Sequence, residues 1–347
     1  MSTDESGQSP SIDRLTTLVT DRDREAAANC LAAFETADAD RRKRAVQSLR
    51  AVADDDPSLF DGFVTALRPF LADEERAIRL STAKLLVAVA AGHPGAARPV
   101  VEAVAERLAD DDEFYYVRAR CAETLGYVGL AYPEDVSSPE ILADLRIGLA
   151  FDEPEVREKL AKALECVALG DPDRLRHQTA DLAAHLDDDT VLVRYHLATA
   201  LLAVGCAGPA RLDDAVDPLA ARLDDPDPYV RGRAAEALGV VASADGTDAS
   251  LPTTKLDALC DGAVAGDDPD DDAAAFVGRR AAFALDAVAP DADGECGTLG
   301  RVDGVRATTD DAAEAIAAPD ADGKCPHCGL ELPAEGPPMC PRCGAPQ

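Results

Sequence analysis

The sequence predicts an all-α protein of about seven stacked helical pairs, followed by a small cysteine-containing module at its C-terminal end. Three observations predict this architecture. An alanine-rich pattern with one shared arginine recurs at spacings of 37 to 39 residues over most of the chain. Shorter stretches with apolar residues at helical spacing lie between the copies, and turns rich in Asp and Pro separate them. Two Cys-Pro-x-Cys-Gly turns stand after the last copy.

The charge of the chain is strongly one-sided. Its 347 residues include 46 Asp and 20 Glu against 28 Arg and 6 Lys, which gives a formal net charge of −32. Hydrophobic residues still make up 47%, as in a folded chain. This usage resembles that of proteins from salt-in halophilic archaea, where carboxylates keep proteins hydrated in molar salt and the Debye length falls to about 3 Å. We therefore interpret the charge as an adaptation to the solvent.

Residues 1–22 are predicted to form a polar tail with one short helix capped by Ser11. The tail has neither the basic nor the apolar stretch of a signal peptide, and no apolar run of 18 residues occurs in the sequence. We expect a cytoplasmic protein without a membrane span. Its cysteines should then be reduced thiols or metal ligands. Five of them fall in predicted helices and are interpreted as core residues: Cys30, Cys121, Cys166, Cys206 and Cys260.

Seven copies of the recurring pattern predict the second helix of each pair, here called helix B. They cover residues 41–53, 77–90, 116–129, 155–168, 192–205, 229–242 and 276–289. The shared arginine stands at Arg42, Arg79, Arg118, Arg157, Arg194 and Arg231, and Gly278 occupies its place in the last copy. A period just under 40 residues is typical of stacked helical pairs.

The first helix of each pair, helix A, is predicted from shorter amphipathic segments. Examples are residues 100–110, 141–151, 179–188 and 215–225, with apolar residues at i, i+3, i+4 and i+7. Each ends in an Asp-rich turn, often with proline, that predicts a helix end followed by a new start. The unit is therefore helix A, an acidic turn, helix B and a second turn.

The pattern D-x-x-V-R-x-x-A-A-x-A-L-G resembles HEAT repeats of the short subtype named after phycobilin lyases. The resemblance covers residues 23–290 and is specific because the pattern recurs. It implies a right-handed α-solenoid with A helices on the convex side and B helices on the concave side. The subtype includes an iron hydroxylase with His-Glu metal ligands, but none of the five histidines here is followed by Glu.

The shared arginine is predicted to be semi-buried. Counted as position 0 of helix B, it lies among the apolar positions of the helix. Its guanidinium can reach an acidic residue of the A–B turn, such as Asp152, Asp188 or Asp225. We predict a structural ladder of Arg–Asp pairs; a row of ligand-binding arginines is the alternative.

Position +2 of helix B is predicted to be exposed on the concave side, beside a mixed position +5 and a small or apolar position +9. In six of the seven copies it is a cation or a histidine. These residues are called the cation row: Arg44, Arg120, Lys159, His196, Arg233 and Arg280. They predict a groove for a protein partner whose identity the sequence does not give. The alternative is that they only neutralise acidic neighbours.

We interpret the chain as a non-catalytic protein-interaction scaffold. It has no phosphate-binding loop and no G-x-S-x-G motif, and no small-molecule substrate is evident. The lack of Trp argues against an aromatic-lined nucleic-acid groove. Two alternatives remain at this level: an enzyme of the lyase or hydroxylase type of the short-HEAT family, and a nucleic-acid-binding protein that uses the cation row.

Residues 291–323 are predicted to be an acidic flexible linker in which only 310–318 can form a helix. In residues 324–347, Cys325, Cys328, Cys340 and Cys343 have the spacing C-x2-C-x11-C-x2-C, which predicts one tetrahedral structural Zn²⁺. The module resembles a minimal zinc ribbon. Its closed four-thiolate shell leaves no position for a substrate, and 24 residues are too few to fold without the metal. Whether it docks a partner or only caps the tail stays open, as does a redox or ligand role for Cys296.

Overall fold

The helices of the protein fall into two compact units, the first of which extends to Ala163. The computed structural model describes residues 11–244, 251–264, 272–288 and 297–318, which contain helices and no β-strand. The first unit contains α1 Ile12–Thr20, α2 Arg24–Ala32, α3 Ala39–Asp55, α4 Arg68–Leu71, α5 Arg76–Gly92, α6 Pro94–Ala97, α7 Val101–Ala109, α8 Tyr115–Ala131, α9 Pro133–Val136, α10 Pro139–Ile147 and the first part of α11 Pro154–Gly170.

The second unit begins within α11, at Leu164. It continues with α12 Thr179–Ala183, α13 Val191–Ala207, α14 Val216–Ala221, α15 Pro228–Ala242, α16 Thr253–Val264, α17 Asp272–Val288, α18 Val302–Ala307 and α19 Thr309–Ala317. Short 3₁₀ helices connect these elements in both units, at Pro57–Phe60, Val64–Leu67, Arg98–Val100, Gly148–Ala150, Pro172–Leu175, Pro209–Ala215 and Arg222–Asp224.

The predicted B helices are present in all seven copies, as α3, α5, α8, α11, α13, α15 and α17. Acidic turn residues fix several of their starts, because a carboxylate at the N-cap accepts a hydrogen bond from a free main-chain N–H. Asp38 accepts from Arg41 N and Asp227 from Val230 N. Proline follows α3, α5 and α8 within two residues and begins the next short helix, where its missing N–H costs nothing.

The A helices are shorter than the sequence predicts. Residues 179–188 form a helix only over Thr179–Ala183, and residues 141–151 and 215–225 end in 3₁₀ turns. Gly148 lies at one of these transitions, where a Cβ would stand 2.4 Å from Leu160 Cδ1. The tight turn lets the acidic loop that follows return directly to the next B helix. The short A helices are therefore held by packing on the B helices and not by their own length.

The B helices approach one another closely at glycines of the shared pattern. A Cβ on Gly126 in α8 would lie 2.9 Å from Ala163 Cα in α11, and a Cβ on Gly239 in α15 would lie 2.9 Å from Ala284 Cα in α17. No side chain fits at such distances, so glycine sets the spacing of these helices. Around the contacts the core consists mainly of alanine, leucine and valine, as the repeat predicts.

The expected flexible linker is folded in its described part. Residues 302–307 and 309–317 form α18 and α19, and Val305, Ala312 and Ile316 are buried. Ala312 and Ile316 pack in one cluster with Tyr195 of α13 and Phe276 of α17. The helix predicted over 310–318 is present as α19, whereas the flexible-linker prediction is wrong for α18, because apolar residues at helical spacing pack this segment against the helices of the second unit. Other boundaries of the four predicted segments stay predictions.

The predicted core cysteines all lie in helices. Cys121 and Cys166 are buried, whereas Cys30, Cys206 and Cys260 are half-buried. Burial raises the pKa of both Cys121 and Cys206 to about 12, which leaves their thiols protonated and unreactive at neutral pH.

Several predictions concern residues outside the described ones. These are the beginning of the polar tail, Cys296, and the zinc ligands Cys325, Cys328, Cys340 and Cys343. Among the described residues, no helix is both long and apolar enough to cross a membrane.

Candidate binding face of the B helices

The shared arginines tie one repeat to the next. In α3, Arg42 Nε and Nη2 donate to the carboxylate of Asp73, at 2.8 and 3.0 Å, while Nη1 donates to Ala37 O of its own turn. Arg79 makes the same fork to Glu113, and Arg194 to Asp225. The carboxylate therefore comes from the turn of the following repeat and the carbonyl from the arginine's own turn.

The remaining arginines vary this scheme. Arg118 has the ring of Phe151 at the place of the next carboxylate, with the guanidinium 4.4 Å from the ring centre. Arg157 and Arg231 donate to main-chain carbonyls of their own turns, at Phe151 and Asp225. The six copies that have the arginine use its guanidinium within the repeat framework, and lysine could not replace the bidentate contacts of Arg42, Arg79 and Arg194.

The cation row differs between the units. Arg44 is exposed, and Arg120 and Lys159 are half-buried. His196, Arg233 and Arg280 are only 2%, 0% and 2% exposed, so their predicted exposure is wrong. The reason is tertiary: Arg233 and Arg280 lie under α18 and α19, and His196 Nδ1 lies 2.9 Å from Glu165 Oε2.

In the first unit the row is a partly open network of charges. Arg120 Nη1 donates to Glu123 at 2.7 Å and Nη2 to Glu155 at 2.9 Å, whereas its buried Nε has no acceptor in the described structure. Lys159 donates to Glu158 at 2.9 Å. Burial raises the pKa of Glu155, although Arg120 opposes the shift.

Two lysines at position +5 lie beside this network. Lys162 donates to the hydroxyl of Tyr127 at 3.0 Å. Lys84 makes no hydrogen bond or ion pair with any described residue, and it faces two other cations. Burial lowers the pKa of Lys84, and Arg120 and Arg50 lower it further, whereas Glu155 opposes the shift. A carboxylate brought to this place by another molecule would relieve that repulsion.

In the second unit the same positions hold a segment of the chain itself. Arg233 Nη2 lies 3.2 Å from Val305 O and 3.1 Å from the hydroxyls of Thr308 and Thr309. Arg233 also contacts the hydroxyl of Tyr195, which donates to Thr309 O at 3.1 Å. The cation at position +2 thus recognises main-chain and hydroxyl oxygens.

Position +5 supplies the matching acceptor. Glu236 Oε1 accepts from Gly300 N at 3.1 Å, and its Oε2 accepts from Arg280 Nε at 2.8 Å. Arg280 Nη2 donates to Thr308 Oγ1, and its guanidinium lies 3.3 Å from the centre of the Phe276 ring. Burial lowers the pKa of Arg280 to about 10, with Arg233 adding to the shift and Glu236 opposing it.

The sequence contained a signal for this contact that the repeat analysis missed. Val305, Thr309, Ala312 and Ile316 follow one another at intervals of four, three and four residues, which is one face of a helix. Their side chains are the buried ones of the segment. The periodicity of the repeats cannot reveal a contact made between residues 64 to 76 positions apart.

Comparison with known proteins shows the fold. No protein-family model matches the sequence, and no curated protein matches it. An engineered protein from the Northeast Structural Genomics Consortium matches with a TM-score of 0.59 at 19% identity, over 92% of this chain and 83% of its own. A designed armadillo repeat protein matches at 0.53 and 18%, over 65% and 99%. In its described residues the protein is therefore a helical repeat protein similar in fold to a designed armadillo repeat protein.

Proposed function

We propose that the chain is a non-catalytic scaffold of the short HEAT type, which binds an acidic polypeptide segment on the B-helix face of its first unit. The residues that carry binding are Lys84, Arg120 and Lys162. The charge balance of the chain supports a cytoplasmic location in a salt-rich cell.

The observation that carries the proposal is the own-chain segment on the second unit. There, cations at position +2 donate to carbonyl and hydroxyl oxygens, and a glutamate at position +5 accepts a main-chain N–H. The contacts to Val305 O and Gly300 N are contacts to a polypeptide backbone. Repeats with the same pattern, stacked by the same arginine ladder, offer the same positions in the first unit.

The first unit differs in being open and in its charges. Arg120 at position +2 and the lysines at position +5 of α5 and α11 replace the Arg233–Glu236 arrangement. The cations of this network are Lys84, Arg120, Lys159 and Lys162, and the carboxylates are Glu123, Glu155 and Glu158. One cation is in excess, in a protein whose net charge is −32. A partner with a carboxylate fits this face better than a neutral or basic one.

Similar folds have been used for such binding. One similar structure, at 16% identity and a TM-score of 0.51, belongs to computationally designed armadillo repeat proteins for modular peptide recognition. That description concerns the designed proteins. It supports the proposal only by showing that this fold suits polypeptide recognition.

Selection of displayed random peptides against the full chain in molar KCl tests the proposal. We expect the enriched peptides to carry Asp or Glu, because Lys84 has no acceptor among the described residues. Binding should fall by at least about tenfold, or ~1.4 kcal/mol, in the double variant Lys84→Met, Lys162→Met. The control is Arg174→Met, which removes an exposed cation on the Pro172–Leu175 turn. Enrichment of peptides that bind the double variant equally well would contradict the proposal.

In the proposed account Cys325, Cys328, Cys340 and Cys343 hold one structural Zn²⁺. The support is their spacing and the Pro and Gly residues of both turns. Metal analysis of the full chain should give one zinc per molecule, and Cys340→Ser should lose it. Helix content should be unchanged, since the cysteines lie outside the helical repeats. Less than half an equivalent of zinc in freshly purified protein would refute the assignment.

A further inference from the structure

We propose that residues 297–318 are a displaceable internal ligand, and that the face of α13, α15 and α17 beneath them is a second binding surface. The partner it fits is a helix that begins with two adjacent hydroxyl residues and has apolar residues three and seven positions after the second one. The inference rests on the proposed function, because it assigns the same repeat positions to binding.

The centre of the contact is charged. Arg233, Glu236 and Arg280 are at most 2% exposed, and they comprise two cations and one carboxylate. A permanent helix–helix contact buries apolar side chains, whereas burying charges carries a desolvation penalty that is recovered when the contact opens. A contact with a charged centre is therefore suited to exchange.

Both arginines donate hydrogen bonds to the segment. Outside α13, α15 and α17, the oxygens that Arg233 and Arg280 reach among the described residues are Val305 O, Thr308 Oγ1 and Thr309 Oγ1. A competing helix must bring oxygens to the same places. Two hydroxyl residues at its start, such as Thr308 and Thr309, meet this requirement.

The apolar side of the contact is narrow. On the segment it consists of Val305, Ala312 and Ile316, of which the last two pack against Tyr195 and Phe276. Thr309, Ala312 and Ile316 are spaced by three and seven residues, which places them on one face of α19. This spacing defines the apolar requirement for the partner.

The segment has little helical stability of its own. α18 has six residues and α19 nine, fewer than the roughly 12–15 that an isolated helix needs in water. The segment should therefore unfold when it leaves the face. Its hold also depends on one turn: Gly300 has φ +69° and a Cβ there would lie 2.7 Å from Phe283 Cζ. Gly300→Ala thus weakens docking without changing the face.

The test uses the full chain with its own segment weakened by Gly300→Ala and Ile316→Asp. A fluorescein-labelled peptide of residues 297–318 serves as the probe, and anisotropy reports binding. We expect the double variant to bind the peptide at least about tenfold more tightly than the wild-type chain, whose tethered segment competes at high effective concentration. Adding Arg233→Gln to the double variant should abolish binding. A peptide in which Thr308 and Thr309 are replaced by Val should bind weakly.

Failure of the peptide to bind the double variant, while amides of α13 and α15 stay protected from hydrogen exchange, would overturn the inference. If those amides lose protection, the double variant has lost the binding face, and the inference is then tested by native-state hydrogen exchange of the wild-type chain. Amides of α19 should then exchange by an opening separate from that of α13 and α15, and a single common opening would overturn the inference. Lys84→Met should not affect either result, so failure here leaves peptide binding by the first unit as a separate question.

Discussion

At the scale of residues, one type of side chain does two different things in this protein. In the six B helices that have it, the shared arginine stabilises the repeat framework. The guanidinium of Arg194, for example, joins two neighbouring turns through Asp188 O and Asp225. The cation two positions further along points away from that framework and meets either solvent, a glutamate or another segment. Sequence position alone separated the two roles, since a helix turns these residues by about 200° relative to each other.

Asp225 tests the framework role. Its carboxylate is fully buried and accepts from Arg194, from Arg222 and from the main-chain N–H of Asp227. Asp225→Ala should lower the free energy of unfolding by about 3–5 kcal/mol, because a buried cation loses its partner.

The neighbouring Asp224 is the matched control. Its carboxylate is 68% exposed, and among the described residues it pairs only with Lys255. Asp224→Ala should cost less than about 1 kcal/mol in chemical denaturation, as exposed ion pairs do. Equal effects of the two substitutions would mean that the ladder contributes nothing beyond surface charge.

The free energy of unfolding of a Lys84 variant tests whether this lysine has a structural role or is available for binding. Because its folded-state pKa is lowered, its charged form destabilises the fold, and the deficit lessens as the pH rises towards the ordinary range of lysine. Lys84→Met should therefore raise the free energy of unfolding at pH 7, by no more than about 1 kcal/mol since the ammonium is half exposed. Denaturation of wild type and variant measures this. A less stable variant would show that Lys84 has a structural partner and is not kept for binding.

At the scale of elements, the B helices were predicted best, and the short helices α1, capped by Ser11, and α19 were also predicted. The period of the pattern placed all seven B helices, since each carries the same apolar face and an acidic start. The A helices were predicted too long because apolar spacing does not distinguish an α-helical last turn from a 3₁₀ turn, as at Gly148–Ala150 and Arg222–Asp224. Within the cation row Arg44 is exposed as predicted, whereas Arg233 and Arg280 are covered by the segment around Thr308, which lies 75 and 28 residues further along the chain.

Helix spacing gives a direct test at this scale. Gly126→Val places a branched side chain at a position where a Cβ alone would lie 2.9 Å from the main chain of α11. The substitution should lower stability by about 1–3 kcal/mol or more, because a packed contact cannot widen without cost.

Gly262 of α16 provides the control for this substitution. A Cβ at Gly262 would meet nothing within 4 Å. Gly262→Ala should raise stability by up to about 1 kcal/mol through helix propensity alone. Thermal unfolding of both variants separates close packing from propensity, and a neutral Gly126→Val would contradict the close approach of α8 and α11.

At the scale of the whole molecule, the two units use positions +2 and +5 of their B helices differently. In the first unit the residues at position +2 are exposed or half-buried. In the second unit the same positions are buried beneath the segment formed by α18 and α19. The chain as a whole has a net charge of −32, whereas on the binding face of the first unit the cations Lys84, Arg120, Lys159 and Lys162 outnumber the carboxylates by one. At high salt, long-range attraction is screened, so selectivity on that face must come from short contacts such as those of Arg233.

Photo-cross-linking tests the central claim, that the B-helix face of the first unit binds an acidic segment, most directly. A photoreactive amino acid at Ser81, the position +2 residue of α5, would stand one helical turn from Lys84. Irradiation with an acidic peptide in molar KCl should cross-link the peptide at residue 81 and not at a probe placed at exposed Gly262. Lys84→Met should suppress the product. Equal labelling at both positions, or none at residue 81, would contradict the account.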